Sequence, residues 1–399
     1  MNIVILSPLS NTYIGALEWA PIDQNTYIYI IPTRFTTNYQ TTQANIKIIT
    51  VDEWNYPSLQ NALSNIAATM SVNYLIHCDE HDVEVAAQLR EQFQIPGQRL
   101  ADAVLYRNKF SMKQYVAQRG IAVPQYQEVQ SIADIKAWQA NFTGTSILKP
   151  IDGAGAKGIT VITATTEIAT LTIVPRARYI IEEYIDWPLY HIDGLVNDDK
   201  VMYLNTSKYL GQGGINYLHQ QNSGSIEIER DTLLNSKITT YVERLLTILP
   251  HDAAMLFHLE VFINPVTDEI YFCEIGNRLG GGRINEELHD RYSIWPIKAY
   301  IQAVIGGAVP VITAQNNLIH GFIFIAPDRG TLIEIPNAIP VTGIYDYHVF
   351  GKVGKIYDGS NSINQAVVAV SVRDTTHAGV YSKLREIEQY LATTIKYAQ

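Results

Sequence analysis

A chain of 399 residues, 47% of them hydrophobic, is long enough for roughly two to four structural units with real cores. Its formal net charge of −10 excludes the global basic field that draws nucleic acid or an anionic membrane, so any phosphate-binding charge must be local. Cys78 and Cys273 fall in apolar runs without metal spacing and read as buried free thiols of a reducing compartment. The first residues lack the charged and long apolar segments of a signal peptide. No apolar run reaches bilayer length, and we expect a soluble cytoplasmic protein.

Residues 2–6, 46–51 and 74–78 read as short buried strands. The acidic stretch Asp79-Glu80-His81-Asp82 follows, then a helical run over 83–93 with Val85, Ala86, Leu89 and Phe93 on one face. This alternation predicts an α/β unit up to about Tyr106. No glycine fingerprint follows the first strand, which argues against a dinucleotide there. Residues 108–120 predict a compact helix with Asn108 as N-cap and Gly120 as the stop. Lys109 lies in its first turn, the wrong end of the helix dipole for a cation. Either an anion shares the site or the lysine is simply exposed.

Ser146-Ile147-Leu148-Lys149-Pro150 and residues 159–162 predict two strands joined by the glycine-rich loop 151–158. Residues 153–158 match G-x-G-x-x-G, but a β-branched run follows instead of the helix that a nucleotide fingerprint needs. Such a loop can close as a lid whose N–H groups cup phosphate oxygens, or it can be an ordinary flexible turn. Residues 179–185, Y-I-I-E-E-Y-I, read as a strand running into Asp186-Trp187-Pro188, a natural crossing between lobes, and 191–196 continue as a strand. The polar, glycine-rich stretch 205–225, with Gly211-Gln212-Gly213-Gly214, reads as a substrate-covering loop or a surface excursion. An amphipathic helix is expected over 231–249.

Residues 256–275 predict a β-hairpin around the turn Asn264 to Asp268, followed by G-N-R-L-G-G-G-R at 276–283. A turn centred near Thr267 sets Glu260 opposite Glu274, with Cβ atoms about 4.5–5.5 Å apart, where like charges repel. Both acids stand in otherwise apolar strands, where an unpaired carboxylate is costly. A divalent cation would turn that repulsion into binding, and Mg²⁺ takes one or two carboxylates plus substrate phosphates. Two solvent-facing acids on an edge hairpin are the plain alternative. Arg278 and Gly280-Gly281-Gly282 add a fixed positive charge and backbone that can approach an anion. His258 shares the strand face of Glu260, as a structural histidine or as a group that contacts substrate or deprotonates an amine. Two helical stretches then run to about Ile305. The tail has strand-like runs at 320–326 and 366–372 and a final helix over 377–395.

R-N-K at Arg107 to Lys109, I-L-K-P at Ile147 to Pro150 and G-A-G-A-K-G at Gly153 to Gly158 come in order. E-E-Y-I at Glu182 to Ile185, F-H-L-E at Phe257 to Glu260 and E-I-G-N-R-L-G-G-G at Glu274 to Gly282 follow. Together these motifs resemble the ATP-grasp superfamily, and within it the carboxylate–amine ligases that include the L-amino-acid ligases. The resemblance covers residues 79–307 well and the two ends loosely. It implies an α/β (α+β ATP-grasp) fold. The expected parts are a Rossmann-like N-terminal α/β domain (1–107), a small lobe with the glycine-rich lid (108–186), a large lobe with the Mg-binding hairpin (187–310) and a C-terminal α+β lobe (311–399).

The same resemblance implies that Lys109 and Lys149 hold the α- and β-phosphates, under a lid containing Gly153, Gly155, Lys157 and Gly158. Glu182, Glu183, Tyr184 and Ile185 would form the adenine-binding linker. Glu260 and Glu274 would hold Mg²⁺, with Asn277 as a further candidate. Arg278 would stabilise the acyl-phosphate and the tetrahedral intermediate, with Lys149 and His258 as the other catalytic candidates. Glu80, Lys208, Tyr209, Gly281 and Arg283 are candidates for holding the substrates. The chain departs from its relatives at Leu189, which cannot accept a ribose hydroxyl, and at Gly276, where relatives often carry a metal-binding asparagine. ATP and Mg²⁺ are the expected cofactors. The expected reaction activates a carboxylic acid, an amino acid or related small acid, as an acyl-phosphate and couples it to an amine, releasing ADP and phosphate. Biotin-carboxylase-like and purine-pathway enzymes of the same fold are alternatives, as is a non-catalytic ATP-binding module. The partners expected are small-molecule carboxylate and amine substrates, with no nucleic acid or membrane. Relatives commonly pair with a second copy, which leaves a homodimer open.

Overall fold

The computed structural model describes all residues except 156, 169, 170, 172, 175, 176, 212–221, 308, 310, 311, 361–364 and 399, and only the backbone of 12 and 13. Short β-branched runs at the start of the chain pair in parallel. β1 (Asn2–Leu6), β2 (Thr26–Pro32), β3 (Ile46–Val51) and β4 (Tyr74–His77) form a sheet in the order β3-β2-β1-β4. β2 is absent from the expectations above. Its tyrosines hid a two-sided core strand: Tyr27 and Tyr29 are fully buried, and their hydroxyls donate to Asp23 and to the Ala16 carbonyl.

The second unit is an antiparallel sheet of β5 (Tyr126–Val129), β6 (Ser146–Pro150), β7 (Thr160–Ile162) and β8 (Tyr179–Glu183), in the order β5-β8-β6-β7. The glycine-rich loop joins β6 to β7, as their strand-like composition predicted. The third sheet is the largest. Its strands are β9 (Leu189–Asn197), β10 (Lys200–Tyr209), β11 (Ser223–Glu227), β12 (Ala254–Ile263) and β13 (Ile270–Gly276), together with three from the tail. The tail strands are β14 to β19 at Ile319–Ile325, Arg329–Glu334, Ile344–Val349, Ile356–Asp358, Val368–Asp374 and Lys396–Ala398. The eight-stranded order is β13-β12-β9-β10-β11-β14-β18-β16, so β11 pairs with β14 and one sheet takes in strands of the tail. The remaining three tail strands form a small sheet, β17-β15-β19.

The loop expected over 205–225 is shorter than its polar composition suggested. β10 runs through Tyr209 and β11 begins at Ser223, while 212–214 of the glycine stretch lie outside the described residues. Asn205, Ser207, Ser225 and Glu227 are buried and hydrogen-bonded among other polar groups, so their polarity marks an interior seam and not a solvated loop.

Alternation along the strands gives the large sheet two faces. Ile192, Phe257, Leu259 and Val261 pack with Ile238, Val242 and Leu245 of the helix Leu233–Ile248. The opposite face carries Leu195 and Leu256 into a core shared with Ile3 and Ile5 of β1 and with the helices Ile284–Tyr292 and Pro296–Val304. The N-terminal sheet is thereby packed against the face on which the hairpin acids stand. Among the described residues no helix is long and apolar enough to cross a membrane.

Candidate active site

The hairpin register pairs Leu259 with Ile275 and Glu260 with Glu274, then slips so that Val261 faces Phe272. Cys273 is the extra residue of a β-bulge. The two carboxylates stand directly opposed, and one oxygen of each lies with Cys273 Sγ inside a 4.8 Å span. Glu274 Oε2 is 3.2 Å from Lys109 Nζ and 3.9 Å from Lys149 Nζ. These ammonium groups hold the Glu274 carboxyl below its usual range against the opposing effect of burial. Glu260 Oε1 accepts a hydrogen bond from the Tyr209 hydroxyl at 2.7 Å.

The lysines come from two elements. Asn108 caps the helix Lys109–Ala117, accepting the Ser111 N–H at 3.0 Å, and so starts the helix at Lys109. Lys109 is buried, and its Nζ donates to the Gly153 carbonyl at 2.7 Å, tying the helix to the lid. The anion that its helix position called for is Glu274. One turn on, Lys113 is fully buried, 3.1 Å from Glu182 Oε2, and donates to the Cys273 carbonyl at 2.7 Å. Lys149 of β6 reaches Glu182 Oε1 at 2.8 Å. The Glu182 carboxyl thus bridges two lysines. Burial would raise its pKa, but Lys113 and Lys149 overcome that and hold it at about 2. Replacing Glu182 by glutamine should destabilise the fold by about 3–5 kcal/mol at pH 7, because buried Lys113 loses its counter-charge and Lys149 is left with only Glu274 at 3.9 Å. The folded pKa lies below the unfolded value, so the contribution is complete above about pH 5 and fades as pH falls toward 2. Urea unfolding at pH 7 and pH 3 should show the wild-type advantage shrinking at the lower pH.

Around the lid, Arg107 donates to the Asp152 carbonyl and to Glu80 Oε1, both at 2.6 Å. Arg278 Nε donates to Glu80 Oε2 at 2.8 Å and its Nη1 to the Leu279 carbonyl at 2.8 Å. Glu80, expected on a substrate, instead clamps two arginines. Burial opposes its ionisation, but Arg278, Lys109 and Arg107 hold its pKa at about 2. Within the lid, Gly155 and Gly158 have φ of 62° and 78°, and a Cβ at Gly158 would stand 3.0 Å from Pro150 Cγ. Gly153 accepts the Lys109 bond, and Lys157 is exposed. In the linker, the N–H groups of Glu183 and Tyr184 bond the Gln125 and Thr145 carbonyls at 2.9 Å, and Ile185 is buried.

Three of the expected residues, Lys208, Asn277 and Arg283, are engaged by other protein groups. Lys208 is on the opposite face of β10 from Tyr209, its Nζ 5.9 Å from the Tyr190 ring centroid, because neighbours in a strand point oppositely. Asn277 donates its side-chain amide to Gln98 Oε1 at 3.0 Å and its carbonyl meets His77, so it braces the N-terminal unit. Arg283 is buried in ion pairs with Asp346 at 2.6 Å and Glu286 at 3.3 Å, reaching the tail strand β16. Gly281 has no atom within 4 Å of where a Cβ would stand, so it borders open space. His258 is nearly fully buried. Its Nδ1 bonds Asp193 Oδ1 at 2.9 Å and its Nε2 lies 3.6 Å from Glu260 Oε1. Burial pushes its pKa down, but Asp193 raises it to about 9, which is wrong for a base poised near neutrality.

No family model matches the sequence. The chain is 24% identical over 311 residues to an L-arginine-specific L-amino acid ligase of Bacillus subtilis, covering 73% of this chain and 72% of that protein. Its structure superposes on the crystal structure of an L-amino acid ligase from Bacillus licheniformis with a TM-score of 0.79, 15% identity and coverage of 100% and 99% of the two chains. A carboxyaminoimidazole ribonucleotide synthase from Aspergillus clavatus, solved with ATP, matches with a TM-score of 0.74, 12% identity and 98% coverage of both chains. The chain has the ATP-grasp fold.

Set against other ATP-grasp proteins, the donor set fits the nucleotide and metal that such folds take. Two opposed carboxylates offer hard oxygens, as Mg²⁺ requires, and buried ammonium groups from two elements offer charge to phosphates. Cys273 is a soft donor, and burial pushes its thiol pKa up, so it suits an Mg²⁺ ligand set poorly. The same cluster holds residues absent from the expectations above. Lys113 was legible as a second lysine at i+4 on the buried helix face. His191 and Asp193 were legible as polar residues alternating in an apolar strand.

Proposed function

We propose that this ATP-grasp protein is an ATP-dependent ligase that activates a small carboxylic acid, an amino acid or a close analogue, and joins it to an amine. ADP and phosphate are released. The observation that carries this reading is the opposed Glu260–Glu274 pair, with Glu274 in contact with Lys109 and Lys149. The likeness to the Bacillus subtilis ligase supports the substrate class.

In this reading Glu260 and Glu274 hold Mg²⁺, which neutralises phosphate charge. Lys109 and Lys149 would offer their ammonium groups to the phosphates, and the lid, tied to Lys109 and Arg107, would exclude water. Arg278 leads out of the same strand and supplies its guanidinium to the charge that develops at the acyl centre. The substrate carboxylate attacks the γ-phosphorus and displaces ADP. The amine nitrogen then attacks the acyl carbon, phosphate leaves, and the amine loses a proton. Positioning and charge neutralisation are what phosphoryl transfer needs, so no nucleophilic side chain is called for.

A screen of ADP release with amino acids paired and alone tests the reading, with hydroxylamine present in parallel to trap the acyl-phosphate as a hydroxamate. Release that depends on an acid together with an amine, plus hydroxamate formation, is expected. Release with bicarbonate but not with amino acids would favour a carboxylase. Nucleotide binding without turnover on any pair would favour a binding module.

A further inference from the structure

Beside the metal carboxylates, the polar face of the large sheet carries a buried grid that the reaction above does not use. Strand register sets its rows. Glu274, Glu260, His191 and Ser207 lie side by side across β13, β12, β9 and β10, and the next row is Gly276, His258, Asp193 and Asn205. Asp193 is fully buried and accepts from both imidazoles, His191 Nδ1 at 2.7 Å and His258 Nδ1 at 2.9 Å. His191 Nε2 pairs with Ser225 Oγ at 2.9 Å. His258 Nε2 lies 3.6 Å from Glu260 Oε1, the oxygen that already accepts the Tyr209 hydroxyl. The Tyr209 ring packs on that of His191, with centroids 4.8 Å apart.

The glycine run closes the grid. A Cβ at Gly280 would come within 2.4 Å of Asp193 Oδ1 and 2.7 Å of His258 Nδ1, so the backbone lies directly on this pair. A buried carboxylate is costly unless its oxygens are satisfied, and here each oxygen has an imidazole. Burial alone would raise the Asp193 carboxyl, but His258 and His191 hold it well below the usual carboxylate range. His191, Asp193, Ser207 and Ser225 are fully buried, and the grid ends on one oxygen of the partly exposed Glu260.

We propose that Asp193 is a positioning residue for Glu260: acting through His258, and together with Tyr209, it fixes Oε1 and leaves the other carboxylate oxygen for the divalent cation. This rests on the reading of Glu260 and Glu274 as Mg²⁺ ligands. Partners that orient a metal ligand are worth about 10–100-fold in metal affinity when removed.

The test is Mn²⁺ binding to the full-length protein at saturating ADP, followed by the electron paramagnetic resonance of free Mn²⁺. Asp193→Asn should weaken Mn²⁺ binding about tenfold or more, while ADP affinity measured without metal stays within about twofold. His258→Gln, the second variant in case the first does not fold, should do the same. Unchanged Mn²⁺ affinity in either folded variant overturns the proposal. So does a parallel loss of Mn²⁺ and metal-free ADP affinity, which is what a merely structural role would give, and so does failure of both variants to fold. Glu260→Gln separates the two levels. If it leaves Mn²⁺ binding intact, the metal assignment itself fails. If it abolishes binding while Asp193→Asn does not, the assignment stands and only the positioning role is lost.

Discussion

Glu274→Gln should abolish Mg²⁺-dependent ADP release, with a loss of about three orders of magnitude, the rate equivalent of about 4 kcal/mol. The amide keeps the size of the side chain but removes the charge that a cation shares with Glu260. The fold should tolerate the change. Lys149 keeps Glu182 at 2.8 Å, and Lys109 keeps the Gly153 carbonyl at 2.7 Å together with the nearby charge of Glu80. A coupled assay of ADP release over a Mg²⁺ titration gives the answer, with thermal unfolding as the control. A variant that turns over at the wild-type rate would remove the metal assignment and the ligase reading with it.

Arg278→Ala should cost about 10²–10³-fold in kcat while leaving ADP affinity nearly unchanged, because its guanidinium is assigned to charge that appears only in the transition state. The substitution does not strand Glu80, which keeps Arg107 at 2.6 Å. Arg278→Lys should recover little, since a point charge cannot reproduce the planar fork that engages Glu80 Oε2 through Nε and Nη2. Steady-state turnover and calorimetric ADP binding on the same preparations check this. Equal losses in both would mean that Arg278 holds the nucleotide and that the acyl centre is stabilised by another group.

The two predictions differ in how far their residues were legible. Glu260 and Glu274 could be read as facing acids of one hairpin, but the register beside the turn, Val261 with Phe272, would set Glu260 opposite Cys273, and the bulge brings Glu274 into line. The bulge at Cys273 was not legible, since it depends on the Ala122 carbonyl and Lys113 bonding the outer edge of β13. Arg278 was legible as a charge beside glycines, but its clamp on Glu80 spans 198 positions in sequence and has no local trace. Lys208 and Tyr209 show the same limit. Alternation says that they oppose each other, and only the helices covering one face decide which of them meets Glu260.

Local order therefore came from the chain itself: the Asn108 cap, the hairpin turn, the glycines of the lid and the alternation of the strands. These rest on interactions within a few residues, where side-chain chemistry and backbone geometry are read directly. The partners of the buried charges were decided only on folding. Glu182 with Lys113 and Lys149, Glu80 with Arg107 and Arg278, and Asp193 with His258 each join separate elements. Such pairs exist because an ion taken out of water must find a counter-charge wherever the packing brings one, and packing is a property of the whole sheet.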